Sequence, residues 1–323
     1  MSPAEDKRQF LRDLQNQLGG SIPFERWMRE ALYHPQFGYY TAGIRAIGRR
    51  GDFTTWPVLH DSLARAIARW ALDHKPAGRW HLIEIGAGTG ELAAAVLRAV
   101  GWWNRPRYHI VEISPPLRAE QQKRLGRKVQ WHDSVAEALA ACHGEAVLFS
   151  NELVDAFPCR IFRKKDAAWR ELALRMDDGR IVETWRETPR PESTAFAHEW
   201  PEGQRVEVPE SFHRWLQEWL PAWKCGAMLT IDYGDSCPAL YHRRPHGTLR
   251  AYAHHQRLEG AEAYAGFGLR DLTVDVNFSD LQNWIGLASE VSTLTEFLAR
   301  QRVPGHPSLA GAGDAFKVLT QTR

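Results

Sequence analysis

The chain has 323 residues, a formal net charge of +2 at pH 7, and 44% hydrophobic and 25% charged residues. This composition is that of a globular protein long enough for one large α/β domain with an insertion, or for two modest domains. The small net charge argues against a nucleic acid partner, and the lack of any apolar run near the roughly 20 residues of a membrane helix argues against a membrane partner.

The amino terminus and the cysteines indicate the compartment. The first 20 residues mix acidic and basic side chains without an apolar segment, unlike a secretory signal or a transit peptide. The four cysteines show no C-x-x-C spacing, so the sequence predicts neither a zinc site nor a disulfide framework. His254 and His255 lack the i, i+4 spacing of a helical metal site, so no metal is expected. We predict a cytoplasmic protein.

Two amphipathic helices are predicted at the start of the chain, over residues 4–18 and from Pro23 onward. Apolar residues recur at helical spacing in both: Phe10, Leu11, Leu14 and Leu18, then Phe24, Trp27, Met28 and Ala31. The segment HPQFGYYTAGIRAIGRRGDFTTWP (34–57) is rich in glycine and aromatic residues without a regular period. It is predicted to be either a loop that becomes ordered by what it contacts or a plain surface connection.

The stretch WHLIEIGAGTG (80–90) joins a short apolar strand to a turn with three glycines, and the helix-forming run ELAAAVLRAV follows. Glycine permits positive φ and lets the backbone approach a ligand closely, so this turn is typical of a nucleotide-binding loop. Glu91 stands where the dinucleotide fingerprint requires its third glycine, so NAD and FAD are disfavoured. The acid Glu84 before Gly-x-Gly-x-Gly instead resembles motif I of class I methyltransferases, whose cofactor is S-adenosylmethionine.

Acidic residues follow the next two predicted strands. Glu112 comes directly after the apolar strand 108–111, where a carboxylate can accept hydrogen bonds from both ribose hydroxyls. Asp133 follows the strand 129–131, and the methyltransferase pattern places an acid there against the adenine amino group. Each acid could instead be a solvated charge at a strand end.

The turn after the fourth predicted strand (146–150) holds the main catalytic candidates. Because ligands bind beyond the carboxyl ends of such strands, NELVDAFP (151–158) is expected to face the methyl donor. Glu152 and Asp155 would converge there if the turn is helical, although Asp155 could instead cap a helix. Asp232, after the fifth strand (226–231), and His254 are alternative general bases for a phenol or carboxylate acceptor.

The remaining patterns complete an α/β fold with a Rossmann-like class I methyltransferase sheet, amino-terminal helices and a β-rich insertion. Residues 160–185 alternate apolar and polar side chains around a hairpin turn at 177–179, a helix follows Pro209, and 237–268 reads as a long loop. The closing elements are a helix at 278–287, a strand at 291–293, a helix at 296–301 and a strand at 316–320. The predicted domains are 1–75 (helical region and covering loop), 76–158 with 225–323 (methyltransferase core) and 159–224 (insertion).

Seven stretches in this order resemble the MidA family of S-adenosylmethionine-dependent methyltransferases: HPQFGYY, GDFTTWP, EIGAGTGEL, VEISPPLRAEQQ, SNELVDAFP, TIDYG and GTLRAYAHH. The resemblance runs from about residue 22 to the end of the chain. Mitochondrial members of this family are complex I assembly factors that methylate an arginine on a respiratory-chain subunit. The resemblance therefore implies S-adenosyl-L-methionine as cofactor and a protein arginine side chain as substrate.

The motifs and the strand ends together define the residues expected to contact the cofactor. They are Gly51, Asp52, Phe53, Thr54, Glu84, Gly86, Ala87, Gly88, Gly90, Glu112, Ile113, Asp133, Ser134 and Asn151. The resemblance implies protein arginine N-methylation as the function, and the paired carboxylates Glu152 and Asp155 would suit it because they can hold a guanidinium group. A small-molecule O- or N-methyltransferase and an assembly factor that binds the cofactor without turnover are the alternatives, and a homodimer is left open.

Overall fold

The computed structural model describes residues 3–43, 57–177, 180–253, 256–259, 261–304 and 313–323. Its α-helices are α1 (Pro3–Gln17), α2 (Phe24–Tyr33), α3 (Pro57–His74), α4 (Glu91–Val100), α5 (Pro115–Leu125), α6 (Val135–Ala141), α7 (Glu210–Trp219), α8 (Ala261–Tyr264), α9 (Phe278–Ile285) and α10 (Leu294–Arg300). Among the residues described, no helix has both the length and the apolar character needed to cross a lipid bilayer.

The strands are short, as is usual for an α/β protein. They are β1 (Ile22–Pro23), β2 (His81–Ile85), β3 (Arg107–Val111), β4 (Val129–His132), β5 (Val147–Asn151), β6 (Arg160–Lys165), β7 (Ala168–Asp177), β8 (Arg180–Arg186), β9 (Arg205–Val208), β10 (Ala227–Asp235), β11 (Arg250–Ala253), β12 (Gln256–Glu259), β13 (Asp271–Thr273), β14 (Val276–Asn277), β15 (Ala288–Thr293) and β16 (Phe316–Thr322).

The chain divides into two compact units. The main-sheet unit comprises Ile47–Asp155, Arg214–Ser236 and Val276–Arg323. The accessory unit comprises Met1–Ala46, Ala156–His213 and Cys237–Asp275. This division groups the start of the chain with the insertion, whereas the sequence-based boundaries separate the two. Those boundaries stay a prediction.

The main sheet has the strand order β15-β16-β10-β5-β2-β3-β4, with β14 beside β10. The strands from β10 to β4 run parallel to one another, and β16 runs antiparallel to β10 and β15. Parallel strands covered on both faces consist of nearly continuous apolar residues, which is why β2 and β5 could be predicted from short apolar runs. The α/β fold class with a Rossmann-like sheet is confirmed.

Helices α3 and α4 pack against this sheet and against each other. Helix α3 was absent from the sequence-based description, although Leu63, Ile67, Trp70 and Ala71 follow the helical i, i+4, i+7, i+8 spacing. All four side chains are buried in the core of the main-sheet unit. The apolar face of α3 therefore belongs with the sheet and not with the amino-terminal helices.

The accessory unit contains a sheet of order β1-β7-β6-β9, with β8 beside β7, and a smaller sheet β12-β11-β13. The antiparallel hairpin of β7 and β8 pairs Asp177 with Arg180 across the predicted turn, and residues 178 and 179 of that turn lie outside the described residues. The half-buried Arg160 of β6 connects to β7 through bonds of 2.9 Å from its Nε and Nη2 to the two carboxylate oxygens of Glu171. The prediction of a continuous loop over 237–268 is wrong, because β11, β12 and α8 lie within it.

Candidate functional site

Two neighbouring parallel strands end where the order of strands in the main sheet reverses. From β2 the chain proceeds to β3 and β4 on one side and then returns to β5 on the other side of β2. Ile85, the last residue of β2, pairs with Ser150 of β5. Ligands of open α/β sheets bind beyond the carboxyl ends of the strands at such a reversal. The turns that follow Ile85 and Asn151 therefore lie side by side at the expected ligand position.

The three glycines of the first turn all have positive φ, at 72° for Gly86, 52° for Gly88 and 76° for Gly90. A Cβ atom on Gly86 would lie 2.9 Å from Leu153 Cδ1, and one on Gly90 would lie 3.2 Å from Leu125 Cδ1. Among the described residues, no atom beyond the chain neighbours of Gly88 would lie within 4 Å of a Cβ atom placed on it. The outer glycines thus permit close packing within the protein, and the middle one borders open space that a ligand can occupy.

Glu112, directly after β3, is buried with both carboxylate oxygens engaged. Its Oε1 accepts a bond of 2.8 Å from the Ser114 backbone N–H, and its Oε2 accepts one of 2.9 Å from Gln121 Nε2. Burial raises the pKa of Glu112, and these two hydrogen bonds oppose the rise. The Ile113 backbone N–H also donates to this carboxylate. Because a carboxylate offers about four lone-pair positions, acceptor capacity remains for a ribose hydroxyl.

Gln121 of α5 connects Glu112 to the glycine turn. Its Nε2 also donates to the Gly88 carbonyl oxygen at 2.8 Å, while Trp131 Nε1 donates to its Oε1 at 3.0 Å. The indole N–H fixes which end of the amide is the oxygen, so the two N–H groups must point at Gly88 and Glu112. Gln121 was not among the predicted site residues. Gln121 could have been predicted from the helical spacing of α5. The buried residues there are Leu117, Gln121 and Leu125, so an amide occupies a position where an apolar side chain is expected.

Glu84, the acid of the glycine motif, is only 2% exposed. Its Oε2 accepts a hydrogen bond of 2.6 Å from the Tyr108 hydroxyl of β3. Burial raises the pKa of Glu84 to about 8, the Tyr108 bond opposes this, and the nearby Glu112 adds to it. The carboxyl group is therefore largely protonated at neutral pH. Direct contact of Glu84 with the cofactor stays a prediction.

The other predicted adenosine contacts lie at the surface. Ile113 follows Glu112 and is 63% exposed, an unusual state for a large apolar residue beside a buried acid. The Asp133 side chain is 76% exposed and forms an ion pair with Arg118. Ser134 Oγ accepts a bond of 3.2 Å from the Glu137 N–H and so caps α6. Adenosine contacts by these residues stay predictions.

The turn after β5 is organised by Asp232 at the end of the buried part of β10. Asp232 Oδ2 accepts backbone N–H bonds of 3.2 Å from Leu153, 2.9 Å from Val154 and 3.3 Å from Asp155. Asp232 is completely buried, and burial followed by the charge of Glu152 raises its pKa. Its carboxyl group thus holds the turn on which Glu152 and Asp155 lie.

Glu152 itself has an unusual backbone conformation. Its φ of 51° lies in the left-handed region, which a non-glycine residue adopts only under structural constraint. Its N–H donates to the Ile231 carbonyl oxygen at 2.9 Å, and its Oε1 accepts a bond of 3.2 Å from Asn151 Nδ2. The turn is therefore not helical at Glu152, so the predicted i, i+3 convergence with Asp155 rested on a geometry that the chain does not adopt.

The remaining predicted residues divide by location. Ala87 is buried within the glycine turn, next to Gly86 and Gly88. Five others lie outside the described residues, and their assignments stay predictions: Gly51, Asp52, Phe53, Thr54 and His254.

Comparisons with known proteins identify the chemistry of this site. Residues 62–296 match a family model described as S-adenosyl-L-methionine-dependent methyltransferase. The chain belongs to this family. It is also similar to a crystal structure of a protein from Burkholderia thailandensis bound to S-adenosyl-homocysteine, with a TM-score of 0.83 and 30% identity over 100% of this chain and 94% of that one. The family, the enzyme class and the cofactor S-adenosyl-L-methionine are confirmed.

Curated relatives agree with the family and correct one prediction. The chain is 26% identical to the protein arginine methyltransferase NDUFAF7 of Danio rerio, over 83% of this chain and 69% of that protein. It is 26% identical to the NDUFAF7 homolog of Caenorhabditis elegans, over 86% of this chain and 71% of that protein. Both relatives are named as mitochondrial. The predicted cytoplasmic location, which rested on the first 20 residues and the cysteines, is contradicted by these relatives.

The residues of the site fit an adenosyl cofactor. The open space at Gly88 suits close approach of the cofactor to the backbone, and Glu112 keeps acceptor capacity for a ribose hydroxyl. Ile113 offers an exposed apolar surface beside them. These features lie within the main-sheet unit.

We expect Gly88→Ala to weaken S-adenosylmethionine binding at least about tenfold, a loss of about 1.4 kcal/mol, because the new methyl group occupies the open ligand space. Gly78→Ala is the matched control, since Gly78 also has positive φ and no neighbour within 4 Å of its Cβ position. Calorimetry measures the affinity and thermal unfolding measures the strain common to both variants. Equal affinity in the two variants would contradict the placement of the cofactor.

Gln121→Met is expected to weaken cofactor binding about tenfold while keeping the side-chain volume, because Glu112 and the Gly88 carbonyl lose hydrogen bonds worth roughly 0.5–1.5 kcal/mol each. Gln122→Met, at the exposed neighbouring position of α5, serves as the control. A variant with lower melting temperature but unchanged cofactor affinity would limit Gln121 to a structural role.

The raised pKa of Glu84 predicts a pH-dependent loss of stability. The folded chain keeps a proton up to about pH 8 that the unfolded chain releases near its ordinary pKa of 4.5. The contribution of Glu84 to the free energy of unfolding is therefore greatest below about pH 4.5. It falls by up to about 1.4 kcal/mol per pH unit as the pH rises toward 8. Glu84→Gln removes this titration, so the difference in unfolding free energy between wild type and variant should decrease over that range. A constant difference in denaturant unfolding across pH 5–8 would show that Glu84 titrates normally.

Proposed function

We propose that this methyltransferase transfers the methyl group of S-adenosylmethionine to a guanidinium nitrogen of an arginine side chain in a protein. The relatives from Danio rerio and Caenorhabditis elegans, both named protein arginine methyltransferases, support an arginine substrate. The carboxylate-bearing turn after β5 supports it independently, because an arginine acceptor requires negative charge near the methyl donor.

The observation that carries the proposal is the conformation of Glu152. A non-glycine residue held at φ 51° costs on the order of 1–3 kcal/mol, and such residues cluster at functional sites. The N–H bond to Ile231 and the three backbone bonds to Asp232 supply the constraint. A carboxylate is thereby presented next to the glycine turn.

In this proposal Asp232 is a positioning residue and not the general base. Its side chain is completely buried, its Oδ2 is occupied by three backbone N–H groups, and its Oδ1 accepts a bond of 2.9 Å from the Tyr233 N–H. Glu152 is only half-buried, so its carboxylate is the more accessible to an acceptor. Asp155 is buried and is the second candidate for holding the guanidinium.

The chemistry asked of these residues is charge placement. S-adenosylmethionine supplies an electrophilic methyl group on a sulfonium. A protonated guanidinium is a poor nucleophile, and a carboxylate bonded to one of its nitrogens draws the positive charge away from the nitrogen that attacks. Methyl transfer would form the N–C bond as the methyl–sulfur bond breaks, and the electron pair would stay on sulfur to leave a neutral thioether. The proton that the attacking nitrogen must lose can be accepted by the Glu152 carboxylate and passed to solvent. The hydrogen bonds to the carboxylate also fix the nitrogen in line for attack, a geometry that supplies much of the rate.

The first test identifies the acceptor. The purified chain is incubated with a cell lysate and cofactor carrying a radiolabelled methyl group, and the products are separated by size and hydrolysed. We expect label in protein, recovered as methylarginine. Label recovered mainly as a methylated small molecule would contradict the proposal. Protein labelling by the wild type no higher than that by a variant with an inactivated glycine turn would also contradict it.

The second test concerns Glu152. Glu152→Gln keeps the shape of the side chain but removes its charge, so we expect kcat on the labelled acceptor to fall at least about a hundredfold with cofactor affinity nearly unchanged. Glu145→Gln is the matched control, because Glu145 is exposed just before the other end of the same strand. Wild-type turnover in Glu152→Gln would show that Glu152 does not hold the acceptor. A loss of cofactor affinity alone would show that Glu152 contacts the methyl donor instead.

A further inference from the structure

A cluster of metal-ligating side chains lies on the main sheet and has no part in the methyl-transfer site. The His–Cys cluster consists of His81, the first residue of β2, His109 in the middle of β3 and Cys142, which follows α6. One ligand atom from each residue lies within 4.8 Å of the other two. His109 is 1% exposed and Cys142 is 2% exposed, whereas His81 is partly accessible.

This cluster lies on the face of the sheet opposite Glu84 and Gln121. Successive side chains of a strand point to opposite faces, and Tyr108, the partner of Glu84, directly precedes His109. Helix α6, whose end carries Cys142, contacts β3 and β4. The cluster is therefore separated from the cofactor residues by the sheet itself.

The distances within the cluster are close to those of a tetrahedral metal site. Zinc bonds of about 2.0–2.1 Å to nitrogen and about 2.3 Å to sulfur place neighbouring ligand atoms about 3.3–3.8 Å apart. Cys142 Sγ lies 3.5 Å from His109 Nε2, within that range. His81 Nδ1 lies 2.9 Å from the same nitrogen, a hydrogen-bond distance, so His81 must move outward by a few tenths of an ångström. Its place at the accessible start of β2 leaves room for that movement.

His109 also has the outer partner that a metal-bound histidine requires. Such a histidine binds the metal through one ring nitrogen and donates the N–H of the other to an acceptor. His109 Nδ1 lies 2.9 Å from His132 Nε2, on the side of the ring away from Cys142. With a metal on Nε2, the Nδ1–H of His109 would donate to His132 Nε2, so this contact can accommodate the tautomer that metal binding demands.

We propose that His81, His109 and Cys142 form a binding site for one Zn²⁺ ion or a metal of similar softness. Two imidazoles and a thiolate are ligands that such metals prefer over oxygen-rich sets. The fourth position lies toward His81, the accessible ligand, where water can complete the tetrahedron. His143 and Glu145 also interact electrostatically with His81 and so lie near this opening.

Two features of the cluster oppose metal binding and set its strength. Burial raises the pKa of the Cys142 thiol to about 12, so an incoming ion must displace the thiol proton. Arg107 lowers the pKa of His81, of His109 and of Cys142, which means that a positive charge lies near all three. The thiolate formed on binding offsets one charge of the ion.

The bound ion would connect the end of α6 to β2 and β3. The site is therefore expected to stabilise the fold and not to take part in methyl transfer.

The test uses Co²⁺ as a spectroscopic probe of the complete chain after treatment with a chelator. We expect one Co²⁺ per chain, a thiolate-to-cobalt charge-transfer band, the intense d–d bands of tetrahedral cobalt, and displacement of Co²⁺ by Zn²⁺. Addition of Zn²⁺ should also raise the melting temperature, since an ion that binds only the folded chain stabilises it. Absence of stoichiometric binding at micromolar protein in the wild type would overturn the proposal.

Variants assign the ligands. Cys142→Ser should abolish the charge-transfer band, and His81→Asn, a change at a partly accessible position, should weaken Co²⁺ binding at least about tenfold. Cys225→Ser is the thiol control, because Cys225 is an exposed free cysteine. Circular dichroism of each metal-free variant establishes that it is folded, and His81→Asn decides the question if Cys142→Ser does not fold. Unchanged binding in His81→Asn, or loss of the band in Cys225→Ser, would overturn the assignment.

Discussion

The close approach of two backbone turns is the constraint on which the site depends. Gly86 and Leu153 approach so nearly that a Cβ on Gly86 would lie 2.9 Å from Leu153 Cδ1. Because β2 and β5 are neighbours in the sheet, this contact sets the glycine turn directly beside the turn that carries Glu152. Asp232 then holds the second turn by three backbone hydrogen bonds. The residues proposed to bind the methyl donor and the acceptor are thus brought together by packing within one unit.

Three buried carboxyl groups, in or directly after strands of the main sheet, give the site its electrostatic character. Glu84, Glu112 and Asp232 each have a raised pKa because burial disfavours their charged forms. Each is supported by donors: a tyrosine hydroxyl, an amide with a backbone N–H, and several backbone N–H groups. These donors offset part of the cost of burial, so each group keeps an acceptor role while its neutral form is favoured.

The sequence predicted those parts of the fold that depend on local pattern. Strand β2 was placed at His81–Ile85 because an apolar run ends at a glycine turn. Glu112 was predicted as a ribose ligand because an acid directly after such a strand lies at the ligand-binding edge of the sheet. Gln121 was not found, because its role depends on three partners brought together only by tertiary packing. The left-handed conformation of Glu152 has no local signal either, since glycine is the residue expected there.

Strand β3 shows how one element serves two separate tasks. Tyr108 and His109 are successive residues, so the period of two along a strand directs one toward Glu84 and the other toward the His–Cys cluster. Strand β3 pairs in parallel register with β2 on one side and β4 on the other, which restrains its backbone along the length that carries both residues. A change in the side chains on one face can therefore leave the other face in place. The proposed metal site could therefore stabilise the sheet without contacting the residues on the cofactor face. Because the two groups share only a strand, the residues on one face give no sequence signal for those on the other.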